Sequence, residues 1–449
     1  MNKKILIYKI IVALIIVALA VVLLTTLTRE KDRYYHLTNR GDLGPLTRSD
    51  ISLVTVAAPK QTLADGTVSA EAWRELFPYL TDSLFDNRDN DEIVDYLEQD
   101  PYLVNIYEGY GFAKDYGSAR GHAYTLTDVG KTKRINDKSL ASCLTCKSST
   151  FSKMVQDQGV GVYTKDFHEV YQQITAGGEG VTCYTCHGNE AGNQGTLQVT
   201  HTYVTTALGE NMKAIDPGML SCGQCHIEYY FTAVDSDQDG KLDNEAMMPY
   251  HSLDEMTPEA ILAYYDAAPN KDGGTGFYDW VQPSTGAHML KAQHPEFETV
   301  LQGVHAANGM SCADCHMEIK MGEDGTVYHS HELVSPLKSE ALLQSCAVCH
   351  EGTDMTAKVR AIQSRITSRE TKVGNRLSEL KDALAQAVAD GKLPEEELEA
   401  VRKLYREAQW FFDFDYVENA EGAHNSQLAN RCLDTAEAKI AEGMALLGN

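Results

Sequence analysis

The stretch "CLTCK" at residues 143–147 decides how this chain is interpreted, because four similar stretches follow it. The others are "CYTCH" at 183–187, "CGQCH" at 222–226, "CADCH" at 312–316 and "CAVCH" at 346–350. Cys-x-x-Cys-His is the attachment signature of c-type haem, in which two thioethers hold the porphyrin and the adjacent His binds the iron. A zinc ribbon or a redox dithiol also pairs its cysteines, but neither requires a His directly after the second Cys. The sequence therefore predicts several covalent haems.

The first stretch departs from the other four because Lys147 stands where they have His. A haem that only carries electrons has two strong axial ligands, often two His, whereas a catalytic haem must leave one position open for substrate. Lysine binds iron only as the neutral amine, so its pKa must be lowered by burial and by the metal. The Lys motif is therefore the natural candidate for a catalytic haem. The alternative is a degraded motif that has lost its ligand.

The cysteine count agrees with haem attachment, since ten of the 11 Cys fall in these five pairs. The remaining one, Cys432, is predicted to be a small buried apolar residue on a C-terminal helix. The cysteines predicted to hold five haem c groups are Cys143, Cys146, Cys183, Cys186, Cys222, Cys225, Cys312, Cys315, Cys346 and Cys349.

The overall charge excludes two classes of partner. The chain carries 39 Lys and Arg against 64 Asp and Glu, a formal net charge of −25. A chain this acidic is not expected to bind nucleic acid or an anionic lipid surface. An anionic substrate would need a locally positive entry to reach a site on it.

The N-terminal residues 1–27 contain an unbroken apolar run from Ile10 to Leu24. This segment is long enough to cross a bilayer as a helix, which predicts a transmembrane anchor. The alternative is a signal peptide with Ala18-Leu19-Ala20 as its cleavage site, but the apolar residues that follow are poorly placed for cleavage. Because covalent haem is attached outside the cytoplasm, we expect the chain on the extracytoplasmic (periplasmic) face of the membrane.

The rest of the chain divides into two parts. Residues 28–353 carry the haem motifs at irregular spacings, so the porphyrins themselves would supply much of the core of a loop-rich region. Residues 354–449 have apolar residues spaced three, four or seven apart, which is typical of long helices. Asp390-Gly391-Lys392-Leu393-Pro394 is expected to break the first of these helices. The predicted fold is mainly α, with the C-terminal helices as a candidate dimer interface.

The motifs resemble those of a known family. "CLTCK" with four C-x-x-C-H motifs, "QDPYLVNIYEGYGFAKDYGSARGHAYTLTDV" (99–129), "CGQCHIEYYF" (222–231) and "LKAQHPEFETVLQGVH" (290–305) are similar to those of the ammonia-forming pentahaem cytochrome c nitrite reductases. The resemblance covers about residues 95–440. It implies respiratory reduction of nitrite to ammonium by six electrons at a Lys-ligated haem, with four bis-His haems as the electron supply.

The resemblance also implies which residues bind the haem irons. The proximal ligands would be Lys147, His187, His226, His316 and His350. The distal ligands would be His331 for the His187 haem, His122 for the His226 haem, His424 for the His316 haem and His305 for the His350 haem. The other histidines are expected to be surface or hydrogen-bonded residues: His36, His168, His201, His251, His288 and His329. His294 is the exception.

His294 matches the family's distal-pocket histidine, together with Arg134 and Tyr229. These three suit nitrite reduction, because Arg offers a fixed positive fork to an oxyanion while His and Tyr can deliver protons. Arg134 has rivals at this position, since the pocket cation could instead be Lys131, Lys133 or Arg120.

The same resemblance implies a calcium ion beside the active site. Its ligands would be Glu228, the backbone oxygens of Tyr229 and Lys291, and the side chain of Gln293, which are oxygen donors of the kind that calcium prefers. A second acidic stretch, "DSDQDGKLDNEA" at 235–246, imitates a calcium loop but has Ala246 where such a loop ends in Glu. It is either a weak ion site or a solvated turn.

Two functions from different classes follow. The first is a membrane-anchored, homodimeric nitrite reductase that takes electrons from a membrane-bound multihaem quinol-oxidising partner. The alternative is a multihaem electron-transfer cytochrome without a substrate of its own. A carrier has no use for a Lys-ligated haem beside a proton-donating pocket, which favours the enzyme.

Overall fold

The computed structural model describes residues 46, 48–86, 92–193, 196–232, 235 and 244–448. The predicted anchor at 1–27 and most of the acidic stretch at 235–246 lie outside this part of the chain. Across the described ranges, no helix combines the length and the apolar character needed to cross a membrane. These residues are mainly helical and loop-rich, which confirms that part of the predicted fold; the anchor stays a prediction.

Most helices in the haem-motif region are short. In chain order they are α1 Ala70–Arg74, α2 Pro78–Asp86, α3 Tyr96–Gln99, α4 Tyr102–Ile106, α5 Thr125–Val129, α6 Ser149–Gln158, α7 Phe167–Gly177, α8 Cys183–His187, α9 Thr202–Leu208, α10 Pro217–Gly223, α11 Pro258–Ala267, α12 Glu296–Leu301, α13 Val304–Ala307, α14 Cys312–His316 and α15 Glu340–Cys346. Single 3₁₀ turns connect many of them, among them His122–Tyr124 and Ala141–Leu144.

Three antiparallel hairpins complete the regular structure of the described residues. They pair β1 Tyr230–Phe231 with β2 Ala246–Met247, β3 Trp280–Val281 with β4 His288–Met289, and β5 Ile319–Met321 with β6 Val327–His329. The chain forms two compact units, one of Met1–Ser52 with Ile319–His329 and one of Leu53–Glu318 with Ser330–Asn449. All five haem motifs and all three long C-terminal helices belong to the second unit. The predicted boundary at residue 353 stays a prediction.

The C-terminal helices are α16 Met355–Asp390, α17 Glu395–Tyr416 and α18 Ser426–Leu446. The side chain of Asp354 caps the start of α16, and Gly391 ends it in the left-handed conformation that favours glycine. The predicted break is therefore confirmed. Cys432 is buried on α18, as predicted.

Helix α17 positions the loop that carries the predicted pocket. Its Arg406 guanidinium donates to the carbonyl oxygens of His288 and Phe277, each at 2.8 Å. One turn later, the Trp410 indole donates to the carbonyl of Pro258 at 2.8 Å. Both side chains are buried, so these bonds satisfy polar groups that water does not reach. These bonds hold His288, at the start of the segment that carries the predicted pocket, against helix α17.

Candidate active site and haem centres

Two of the haem motifs fold as single helical turns. Cys183–His187 and Cys312–His316 are complete one-turn helices, and Ser311 caps the second of them in a reciprocal pair of bonds with Asp314. In a helix, residues three and four apart lie on one face, so the second Cys and the next residue both lie beside the first Cys. Lys147 also follows a helical turn, since its N–H donates to the Leu144 carbonyl at 3.0 Å. Lys147 therefore occupies the same position in its motif as the His of the other four.

Each motif histidine lies against the distal partner that the resemblance implied. The ring centroids are 6.2 Å apart for His226 and His122, 6.5 Å for His187 and His331, 6.0 Å for His316 and His424, and 6.4 Å for His350 and His305. Two imidazole nitrogens at about 2 Å on either side of one metal ion place their ring centroids about 6 Å apart. The four separations therefore fit an iron held between each pair.

The second nitrogen of several of these rings is hydrogen-bonded. His187 Nδ1 lies 2.8 Å from the Thr196 carbonyl and His316 Nδ1 lies 3.1 Å from the Val334 carbonyl. His424 Nδ1 contacts the carboxylate of Glu418. A metal-binding His commonly donates its other N–H in this way, which leaves Nε2 for the metal. Burial also lowers the pKa of His316 to about 4, which keeps the ring in the neutral form that binds iron.

His226 has a second ring neighbour, because the His294 ring lies 6.3 Å from it. Ring distance alone therefore does not choose between His122 and His294 as the ligand, and that assignment stays a prediction. Glu296 lies between the two, with Oε1 at 3.6 Å from His226 Nδ1 and at 4.0 Å from His294 Nδ1. Burial raises the pKa of Glu296, but its contacts with the two histidines outweigh burial and lower it to about 2. Glu296 is thus an anion beside both rings, which no motif in the sequence indicates.

The predicted pocket residues all interact with the Lys motif. Burial is the main reason that the pKa of His294 falls to about 4, and the charge of Lys147 contributes. Burial raises the pKa of Tyr229 well above its usual value, and the cysteines of the motif add to this. Arg134 is exposed, lies with its guanidinium 4.2 Å from the centre of the Phe112 ring, and acts electrostatically on Cys143. Each of the three predicted groups thus interacts electrostatically with the Lys motif, and their role as one pocket stays a prediction.

Arg120, one alternative to Arg134 as the pocket cation, already has other partners. The Arg120 guanidinium forms an ion pair with Asp128 and lies 3.8 Å from the centre of the Tyr124 ring. A guanidinium with both a carboxylate and an aromatic ring as partners is less available to an incoming anion. This contact favours Arg134 over Arg120, while Lys131 and Lys133 stay open as candidates for the pocket cation.

The predicted calcium ligands converge in a buried acidic site. Glu228 is only 1% exposed; its Oε1 accepts from the Tyr265 hydroxyl at 2.8 Å and its Oε2 from the Gln293 N–H at 2.6 Å. The Gln293 side chain in turn lies 3.0 Å from the Lys291 carbonyl oxygen. Tyr229 follows Glu228 directly in the chain. Three of the four predicted ligands are therefore in direct contact.

The charges around Glu228 suit a cation. Burial raises the pKa of Glu228 well above its usual value, raises that of Asp279 to about 6 and raises that of Glu298 to about 7. Such shifts show that the ionised forms lack sufficient positive charge nearby. A hard divalent cation among these oxygens would supply it, so the residues fit calcium. Nothing in the sequence indicates Asp279, Tyr265 or Glu298, because none belongs to a local metal motif.

The structure also places motifs beside one another. The sulfurs of Cys146 and Cys225 and a ring nitrogen of His201 all lie within 4.8 Å of each other. The thiol of Cys222 interacts with that of Cys312, which lowers the pKa of Cys222 to about 7. The "CGQCH" motif therefore adjoins the Lys motif on one side and the "CADCH" motif on the other, which is an order suited to passing electrons between haems.

Known proteins resemble this chain in sequence and in fold. The sequence profile of the Cytochrome c552 family matches residues 70–449. Cytochrome c-552 of Desulfotalea psychrophila is 31% identical over 396 residues, which cover 84% of this chain and 74% of that protein. The structure of cytochrome c nitrite reductase from Desulfovibrio desulfuricans is 27% identical and superimposes with a TM-score of 0.76, over 86% of this chain and 87% of that one. Its catalytic subunit is described as having two calcium sites.

Proposed function

The chain belongs to the Cytochrome c552 family of haem-containing nitrite reductases, and from this premise we propose that it reduces nitrite to ammonium at the haem held by Lys147. The observation that supports the proposal is the contrast between the motifs. Four motif histidines each face a second histidine at about one separation, whereas the fifth motif has Lys147 in that place, and the charge of Lys147 acts on the buried His294. We propose that Arg134, Tyr229 and His294 form the pocket beside it.

The haems supply redox chemistry when bound: five haem c groups would deliver electrons one at a time, and nitrite needs six to become ammonium. The protein's own side chains would attract the nitrite anion and supply protons. Arg134, exposed beside Cys143, gives an acidic chain a positive point of entry for nitrite. Tyr229 stays protonated because burial raises its pKa, so its hydroxyl remains a hydrogen-bond donor. His294 is neutral at neutral pH, so one nitrogen can accept a proton while the other donates one.

Calcium is part of the proposal. Bound by Glu228, the backbone oxygens of Tyr229 and Lys291, and Gln293, it would neutralise the buried carboxyls and hold Tyr229 next to the pocket. The contacts among Glu228, Gln293 and the Lys291 carbonyl support this site, as do the calcium sites of the Desulfovibrio enzyme.

The setting in the cell is proposed from the sequence. We place the chain on the periplasmic side of the membrane, anchored through residues 1–27, as a homodimer joined through the helices of 354–449. Its electron donor would be a membrane-bound multihaem quinol oxidase. Membrane fractionation and sedimentation of the full chain would test the anchor and the dimer separately.

The test of the proposed reaction uses the haem-loaded protein with reduced viologen as the electron donor. We expect nitrite to be consumed and ammonium to appear in equal amounts, and one haem to give a high-spin spectrum. If the fully loaded protein consumes no nitrite, the alternative of an electron carrier without a substrate is correct. If nitrite is consumed but another nitrogen compound accumulates, the assignment of ammonium as product is wrong.

A further inference from the structure

His201 lies at the junction of two haem motifs, although nothing in the sequence distinguishes it from a bystander histidine. It directly precedes helix α9 and is 4% exposed. Its Nε2 lies 2.9 Å from the carbonyl oxygen of Thr145, inside the "CLTCK" motif. Its Nδ1 lies 3.0 Å from the side-chain Oε1 of Gln224, inside the "CGQCH" motif. One buried imidazole therefore bridges the Lys147 motif and the His226 motif.

The orientation of the Gln224 amide is fixed by its other bonds. Its Oε1 accepts from the backbone N–H of Thr200 at 2.9 Å, and a backbone N–H can only donate. Its amide nitrogen donates to the carbonyls of Thr185 at 2.9 Å and Ser221 at 3.0 Å, and a carbonyl can only accept. The atom that faces His201 is therefore an oxygen, not a nitrogen.

Both ring nitrogens of His201 consequently face acceptors. A neutral imidazole has one N–H and can donate only one hydrogen bond, whereas an imidazolium donates two. The Thr200 hydroxyl is 3.5 Å from Nδ1, but it already donates to the Thr185 carbonyl at 2.9 Å. Two donated bonds require the positively charged form. Burial lowers the pKa of His201, while its contacts with the Cys146 thiol, the Gln224 side chain and the Thr145 carbonyl raise it.

This charge lies where two haems are attached. His201 Nε2 is 3.6 Å from the Cys225 sulfur, and the Cys146 sulfur lies within 4.8 Å of both. These three groups could hold a metal in a chain without haem, but each sulfur becomes a thioether when its haem is attached. A thioether cannot ionise, so the oxygens of Thr145 and Gln224 remain to stabilise the imidazolium.

We propose that His201 is a positioning residue: a buried imidazolium that ties the Lys147 motif to the His226 motif and raises the reduction potential of both haems. A positive charge stabilises the reduced form of a nearby haem because that form carries one more electron, and the effect is strong where water is excluded. The inference rests on the proposed function for the role of the Lys147 haem. Its measurement needs no substrate.

The experiment compares His201→Gln with wild type by potentiometric titration of the fully haem-loaded protein, following the high-spin haem. Glutamine is neutral and cannot present two donors in the positions of the ring nitrogens. We expect the ratio of oxidised to reduced high-spin haem at a fixed potential to rise at least tenfold, which is a midpoint about 59 mV lower. The matched control is His168→Gln, because His168 is exposed and also contacts a backbone carbonyl, that of Asn136 at 3.3 Å. Its potentials should not change.

A second variant keeps the test decisive if His201→Gln loads haem poorly. Gln224→Met removes the acceptor that faces Nδ1 while keeping the length of the side chain, so His201 becomes neutral and the midpoint should fall in the same direction. Wild-type midpoints in either fully loaded variant would overturn the proposal. Failure of the proposed function is a separate result, since it would appear as wild-type protein that makes no ammonium, whatever the potentials of the variants.

Discussion

Replacing Lys291 by Met tests how the pocket loop is held in place. Lys291 is 3% exposed; its Nζ lies 3.5 Å from a carboxylate oxygen of Asp413 and donates to the Ala292 carbonyl at 2.8 Å. Asp413 is fully buried on α17 and also accepts from the Tyr107 hydroxyl. The pair therefore joins the segment that carries Gln293 and His294 to the long helix behind it.

The expected magnitude follows from the burial of the pair. Burial lowers the pKa of Lys291 and raises that of Asp413, so removing both charges from water costs more than their attraction returns. Removing one partner leaves the other buried without a counter-charge, which typically costs about 3–5 kcal/mol. We expect Lys291→Met to lower the free energy of unfolding by that amount. Asp413→Asn should lower it similarly, since Asn can keep the Tyr107 bond but not the charge.

Guanidinium unfolding of the haem-loaded proteins, followed by circular dichroism, measures this difference. The matched control is Lys271→Met, because Lys271 is exposed and its Nζ lies 4.5 Å from the centre of the Tyr278 ring; its loss should cost about 0.5–1 kcal/mol. The double variant Lys291→Met with Asp413→Asn should lose less than the sum of the single variants, because neither leaves the other unpaired. Additive losses, or a Lys291→Met loss no larger than the control, would refute the reasoning.

Three further predictions concern the site. His294→Asn should slow nitrite reduction by about 10²–10⁴-fold with haem content unchanged, because it removes a proton-transferring group, and viologen-linked assays measure this. Glu228→Gln should weaken calcium binding, measured by calorimetry on chelator-treated protein, because it removes the charged ligand. Calcium removal should also destabilise the protein more at pH 8 than at pH 5, as thermal unfolding with and without chelator will show. The pKa values of Glu298 and Asp279 are raised to about 7 and about 6 in the folded chain, so the calcium-free fold binds more protons than the unfolded chain and loses stability as pH rises through this range.

Each of these three predictions has a control variant or a result that would contradict it. His251→Asn changes an exposed histidine and should leave turnover unchanged, so an equal loss in both variants would deny His294 its proton role. Glu98→Gln, at an exposed position of the short helix α3, should leave calcium affinity unchanged. For the pH prediction, a chelator effect that is equal at both pH values, or greater at pH 5, would show that calcium does not neutralise the buried carboxyls.

The features that could be predicted from the sequence are those determined by residues close together in the chain. Cys-x-x-Cys-His motifs specify haem attachment within five residues, and Gly391 ends α16 through its own backbone conformation. The distal ligand pairs came from a resemblance, because nothing local connects His316 with His424 across more than a hundred residues. The role of Asp413 could not be predicted for the same reason, because only the packing of α17 against the pocket segment brings its carboxylate to Lys291.

The hydrogen bonds of each histidine ring separate the iron-binding histidines from His201, and no sequence motif makes this distinction. His187 and His316 each use Nδ1 for a backbone carbonyl, which leaves Nε2 to bind iron. In the haem-loaded chain, His201 uses both nitrogens for oxygens, so neither nitrogen binds iron and both keep a proton. Histidines with the same side chain are thus held in different charge states by their neighbours: His187 and His316 are neutral, and His201 is positive. In a chain with a formal charge of −25, a buried cation at the junction of two haem motifs therefore favours the arrival of an electron at either haem.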